Sequence, residues 1–146
     1  MNYLYEHINW KGITHVGFDM DGTLYDEYEF VIQPYKKISF LLNEGAFDFM
    51  CCRWLEKGSS YPFIFEEAYD KFLPKRILSK SDFVKKALII FRNFVPANTL
   101  PKRVEDLLCY CKANYQIFLI TDGNPILQRA KFKALHLNRY FNEKNI

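Results

Sequence analysis

The sequence predicts an α/β protein in which a large helical insert interrupts a parallel sheet. Three observations carry this. Residues 16–26 form an apolar run that ends in Asp19, Asp21 and Gly22, and residues 116–125 form a second run that ends in Thr121, Asp122 and Gly123. Both are too short for helices and rich in β-branched and aromatic residues, as strands are. The stretch between them is helix-patterned and about seventy residues long, whereas a crossover between parallel strands needs only about a dozen. Strands that lie parallel open their carboxyl ends on one crevice, where open α/β sheets bind ligands.

The elements follow in chain order. After the first strand, residues 27–43 pattern as a helix around Ile38, Leu41 and Leu42, which Gly45 closes. Residues 46–57 and 62–73 also read as helices. Ser81 is placed to cap a helix whose Val84, Ala87, Leu88 and Phe91 recur on one face. Thr99, with Pro101 in the first turn, opens another, whose Val104, Leu107, Leu108 and Cys111 make the stripe of a crossover helix. The second strand follows. Asn124 and Pro125 then open a helix expected to run toward Phe141.

The chemistry concentrates at the two strand ends. Alternate side chains of an extended chain share a face, so Asp19 and Asp21 crowd one small space until the backbone turns at Gly22. Such a pair is unfavourable unless a cation neutralises it or one acid stays protonated, the two conditions used in metal-assisted group transfer. Hard oxygen ligands suit Mg²⁺. The competing reading is a hairpin turn at Asp21-Gly22 with both aspartates solvated. The second strand end weighs against it, because parallel pairing brings Asp19, Asp21 and Thr121 together.

These residues carry a resemblance. Phe-Asp-Met-Asp-Gly-Thr-Leu-Tyr, residues 18–25, resembles the first motif of the haloacid dehalogenase-like hydrolase superfamily, and Leu-Ile-Thr-Asp-Gly-Asn, residues 119–124, resembles its second. The resemblance implies a Rossmann-like core with Asp19 as nucleophile, Asp21 as general acid/base and Thr121 as a hydrogen-bond donor to the phosphoryl group. It further implies phosphate contacts from Gly22, Asp122 and Gly123, and Mg²⁺ held by Asp19 and Asp21, the latter through its backbone carbonyl. True dehalogenases of this type lack an acid at the position of Asp21, so phosphate chemistry is favoured. A carboxylate nucleophile is an established option, and phosphoryl transfer mostly requires positioning and charge neutralisation.

The resemblance also implies a division. Residues 1–25 and 99–146 correspond to a partial Rossmann-like core, and residues 26–98 to a helical cap between the two motifs that selects substrate. A C-terminally truncated form is expected, since a complete member continues into a phosphate-neutralising lysine and a strand with distal acids. Lys131, Lys133 and Lys144 follow the second motif, and the spacing of the first two on different helix faces favours solvated positions. Tyr25, Asp26, Glu27 and the run Tyr61-Pro-Phe-Ile-Phe65 are candidates for substrate contact, although rings in such an insert commonly serve as core.

Composition bounds the rest. A chain of 146 residues with 49% hydrophobic and 25% charged residues is an ordinary globular domain. The net charge of +3 is dispersed, which argues against nucleic-acid binding. The N-terminal region lacks the apolar core of a signal peptide and no run reaches membrane-spanning length, so a cytoplasmic location without a membrane partner is expected. Cys51-Cys52 and Cys109-x-Cys111 match no zinc spacing and read as reduced, structural thiols. Trp10 and Trp54 suggest only packing, and His7, His15 and His136 are isolated. The expected activity is a Mg²⁺-dependent phosphatase acting on a small phosphorylated metabolite. The alternatives are an inactive, truncated phosphate-binding module, and a phosphomutase. An exposed sheet edge would invite self-association.

Overall fold

The computed structural model describes residues 10–74 and 77–142, with the side chain of Trp10 excepted. The expectations for His7, Lys144, the packing of Trp10 and the N-terminal residues 1–9 lie outside the described residues. The chain is an α/β fold. Strand β1 (His15–Asp19) pairs in parallel with β2 (Gln116–Ile120), in a register that sets Gly17 against Phe118 and Asp19 against Ile120. The two tips therefore end level, and the loops that follow them leave from the same end of the sheet.

Between the strands come α1 (Glu27–Ser39), α2 (Ala46–Lys57), α3 (Ile64–Phe72), α4 (Lys80–Arg92) and α5 (Lys102–Asn114), and α6 (Pro125–Ala134) follows β2. The first four helices pack in a closed circuit, α1 on α2, α2 on α3, α3 on α4 and α4 back on α1. Helix α1 is the hub. Its Phe30, Val31, Tyr35 and Ile38 are all buried, at the i, i+4 and i, i+7 spacings of a helix with one apolar face. Aromatic rings knit this unit: Phe91 of α4 lies within about 6 Å of Phe30, Tyr35 and Phe65. Arg53 on α2 bonds Glu67 on α3 at 2.6 Å, closing the outer side.

The return from α4 to α5 is fastened to α1 by one side chain. The Gln33 amide donates to Asn98 Oδ1 at 2.9 Å and accepts from the Ala97 amide at 3.0 Å. Helix α5 then packs on β2.

Local chemistry moves several boundaries. Helix α1 stops at Ser39, short of Asn43, and Gly45 with φ 89° serves as the entry to α2. The cap of α4 is Ser79 instead of Ser81. Its hydroxyl accepts from the Asp82 amide at 3.1 Å and donates to the Asp82 carboxylate at 2.6 Å, a reciprocal arrangement unavailable to Ser81, three residues before Val84. Its buried face centres on Phe83 and Ala87. Helix α5 begins at Lys102 with Pro101 extended before it, because a proline disfavours helical geometry in the residue it follows, leaving Thr99 outside. Leu107 is 49% exposed, since α5 buries only the narrower stripe of Leu108 and Cys111. Helix α6 ends at Ala134, where His136 turns left-handed (φ 52°) before a short 3₁₀ turn at Leu137–Arg139.

Ile38 is fully buried where α1 meets its neighbours. Ile38→Ala is expected to lower unfolding free energy by about 2–5 kcal/mol, measured by urea denaturation followed by circular dichroism.

Candidate active site

A cavity of about 590 Å³ opens between the strand tips and the helical unit. Asp19, Asp21, Asp122 and Gly123 line it from the strand loops, Gln128 and Lys131 from α6, and Glu27, Phe30 and Trp54 are among the residues lining it from the helices. Parallel pairing accounts for the first group. The turn after β1 is closed by the Leu24 amide donating to the Met20 carbonyl at 3.0 Å, which folds Asp21 back beside Asp19. Gly22 (φ 72°) and Gly123 (φ 102°) both hold left-handed backbone conformations that side chains disfavour.

The two aspartates stand in different surroundings. Asp19 is exposed, and among the described residues its carboxylate has a single weak partner, the Thr23 hydroxyl at 3.4 Å. Asp21 is enclosed. Its Oδ1 accepts from Lys131 Nζ at 2.8 Å and from the Tyr25 hydroxyl, and its Oδ2 accepts from Gln128 Nε2 at 2.9 Å. The same Gln128 nitrogen donates to the Asp122 carbonyl at 2.6 Å, so one amide links the two strand loops. Burial, then the hydrogen bond to Asp21, pushes the Tyr25 hydroxyl far above the usual tyrosine range, and it remains a donor.

Lys131 overturns an expectation. Its spacing from Lys133 does place the two on different faces, but the face of Lys131 is the inner one: it is 3% exposed, and its ammonium sits 4.3 Å from the centre of the Phe30 ring. Helix α6 buries Leu127, Gln128, Lys131 and Phe132 together, and Asp21 supplies the charge that makes burial of the lysine tolerable. Lys133 is exposed.

Thr121 lies directly after the Ile120 partner of Asp19, and its hydroxyl is buried without a hydrogen-bond partner. It lines a smaller hollow of about 510 Å³ at the strand tips together with Asp19 and Asp122, and not the larger cavity. Asp19 borders both. Of the run from Tyr61 to Phe65, Tyr61, Pro62, Ile64 and Phe65 line the cavity and Phe63 does not; Tyr25 is core and Asp26 caps α1 by accepting from the Tyr28 amide at 2.9 Å. Trp54, read from sequence as packing alone, stacks near Tyr28 and also lines the cavity.

A divalent cation would find one open carboxylate here, that of Asp19. Among the described residues no cluster of three or more acidic, histidine or cysteine side chains is poised to hold a metal. Asp19 keeps its carboxylate available, whereas the side-chain oxygens of Asp21 are already bonded. Mg²⁺ is commonly bound by one or two protein oxygens with water and substrate phosphate completing the shell. The Thr121 hydroxyl and Asp19 border one hollow.

The Glu27 carboxyl is raised above its ordinary value, first by burial and then by the charge of Asp21, against the opposing effects of Lys131 and a hydrogen bond with Ser59. The folded chain thus holds this proton more tightly than the unfolded chain. Its contribution to stability is fully present below the ordinary glutamate pKa and is lost as pH rises through the raised folded value. Wild type is expected to lose stability relative to Glu27→Gln across that window and to run parallel to it at lower pH, as measured by urea unfolding from about pH 3 to about pH 8.

No family model and no curated protein matches the sequence. Among solved structures, the chain is similar to a haloacid dehalogenase-like family hydrolase from Xanthomonas campestris, at 20% identity and a TM-score of 0.54, over 88% of this chain and 59% of that one. It is also similar, at 23% identity and a TM-score of 0.40, to a HAD family enzyme from Bacteroides thetaiotaomicron in complex with magnesium and inorganic phosphate, over 90% of this chain and 67% of that one. The second score is too low to bear on the fold. The chain spans under two thirds of the Xanthomonas protein's length, and over that span it has the α/β fold of a haloacid dehalogenase-like hydrolase.

Proposed function

We propose that the chain acts as a Mg²⁺-dependent phosphatase on a small phosphorylated metabolite, in a cytoplasmic setting, with residues 26–98 serving as a cap over the sheet core. The observation that carries this reading is the contrast between the two acids. Asp19, at the tip of β1, offers an almost unpartnered carboxylate to the cavity, and Asp21 beside it is held by three donors. Asp19 is disposed to attack, and Asp21 is fixed beside it to act once it carries a proton.

In the first half-reaction an Asp19 carboxylate oxygen attacks phosphorus, the bond to the leaving oxygen breaks, and Asp21 in its acid form passes a proton to that oxygen. Asp21 then takes a proton from water, which attacks phosphorus and releases phosphate, restoring Asp19. In this reading Thr121 would donate to a phosphoryl oxygen from the hollow it shares with Asp19, and Gly22 and Gly123 would let backbone approach that oxygen. Mg²⁺ held by Asp19 and the Asp21 carbonyl would neutralise charge on the transferring group. The helical wall with Trp54, Tyr61 and Phe65 supports a role in excluding water and contacting the leaving group.

Turnover of p-nitrophenyl phosphate with Mg²⁺ is the test. Asp19→Asn is expected to reduce it to background, a loss on the order of 10³-fold or more, and chelation of Mg²⁺ should do the same. Mg²⁺-dependent turnover surviving in purified Asp19→Asn would remove the nucleophile assignment. The full engagement of Asp21 favours a second reading, a phosphate-binding module, which a wild-type chain that binds inorganic phosphate without hydrolysing any ester would support.

A further inference from the structure

We propose that Lys131 is a positioning residue of this site: with Gln128 it clamps the Asp21 carboxylate from α6 and fixes where that carboxylate faces in the cavity. The inference deepens the phosphatase reading and rests on it for its kinetic part.

Gln128 and Lys131 are three residues apart and share a helix face. Between them they engage both oxygens of Asp21, Lys131 on Oδ1 and Gln128 on Oδ2, while the Gln128 amide also holds the Asp122 carbonyl. The carboxylate is thus fixed at two points in a plane, with Tyr25 as a third contact on the first oxygen. Two-point fixation defines orientation, as a single ion pair does not. Helix α6 is itself anchored by Asn124, whose side chain accepts from the Leu127 amide at 3.2 Å, so the clamp starts from a fixed helix end in the loop that carries Thr121, Asp122 and Gly123.

Stability alone does not explain the arrangement. Lys131 is as buried as Leu127 and Phe132 on either side, and an apolar side chain would pack against Phe30 at least as well. Replacing a buried ion pair by apolar groups is often neutral or stabilising, so the pair is better understood as specifying geometry. It stands where geometry matters, since the carboxylate it holds lines the cavity next to Asp19. A carboxylate free to rotate would spend little time aligned with a leaving oxygen, and small misplacements of reacting groups are costly.

The test uses the full chain, p-nitrophenyl phosphate with Mg²⁺, and thermal unfolding. Lys131→Met, close in length and uncharged, is expected to lower kcat on the order of 10²-fold with KM within about threefold, and Lys133→Met to leave both unchanged. In unfolding, Lys131→Met and Asp21→Asn should be strongly coupled, the double variant being less destabilised than the sum of the singles. Should Lys131→Met fail to fold, Gln128→Leu, which removes only the amide, must show the same kcat loss at constant KM. A kcat within about threefold of wild type in Lys131→Met overturns the proposal, as do additive unfolding effects. If wild type itself shows no turnover, the phosphatase reading is lost, and the unfolding cycle alone decides the clamp: coupling supports it and additivity removes it.

Discussion

The parallel pairing of two five-residue strands is the constraint on which the site depends. Because Asp19 stands opposite Ile120, the polar loops that follow the strands leave the sheet at the same level, and the placing of Asp19, Asp21, Thr121 and Asp122 descends from that register. A slip of one residue would turn each side chain to the other face and separate the two loops. The pairing is short, so its support comes from elsewhere: Leu119 is buried against the helices, α5 packs along β2, and Phe18 meets Phe141 edge-on at 6.1 Å.

The second constraint is electrostatic. Asp19, Asp21, Glu27 and Asp122 all border one cavity, with Lys131 and Arg92 as the cations among its lining residues. Carboxylates gathered at low dielectric repel one another and any approaching phosphate. The chain answers by dividing them. Asp21 is satisfied internally, Glu27 is pushed toward its neutral form, and Asp19 is left open to solvent and to a cation.

Much of this was legible in the sequence, for identifiable reasons. The strands showed because apolar runs ending in Asp-x-Asp-Gly and Thr-Asp-Gly fit neither helix nor loop, and the start of α6 showed because Asn-Pro is both a cap and a first turn. Caps that depend on reciprocal side-chain bonds were harder: Ser79 and Ser81 flank one lysine, and only the Asp82 partnership distinguishes them. The role of Lys131 was hidden for a different reason. Spacing shows that two lysines lie on opposite faces, but not which face turns inward, and that is settled by Asp21, 110 positions away along the chain. The signal available was the helix itself, where Leu127, Lys131 and Phe132 fall on the face that the apolar pattern assigns to the interior. Trp54 and Gln128 were invisible as cavity residues because nothing local marks them.

The Gln33 amide has a mechanical consequence. Residues 97 and 98 are bonded to α1, so the strap leading back toward the sheet is fastened to the helical unit before it reaches α5. The link that follows is stiffened at Pro101, whose ring fixes its φ at the entry to α5.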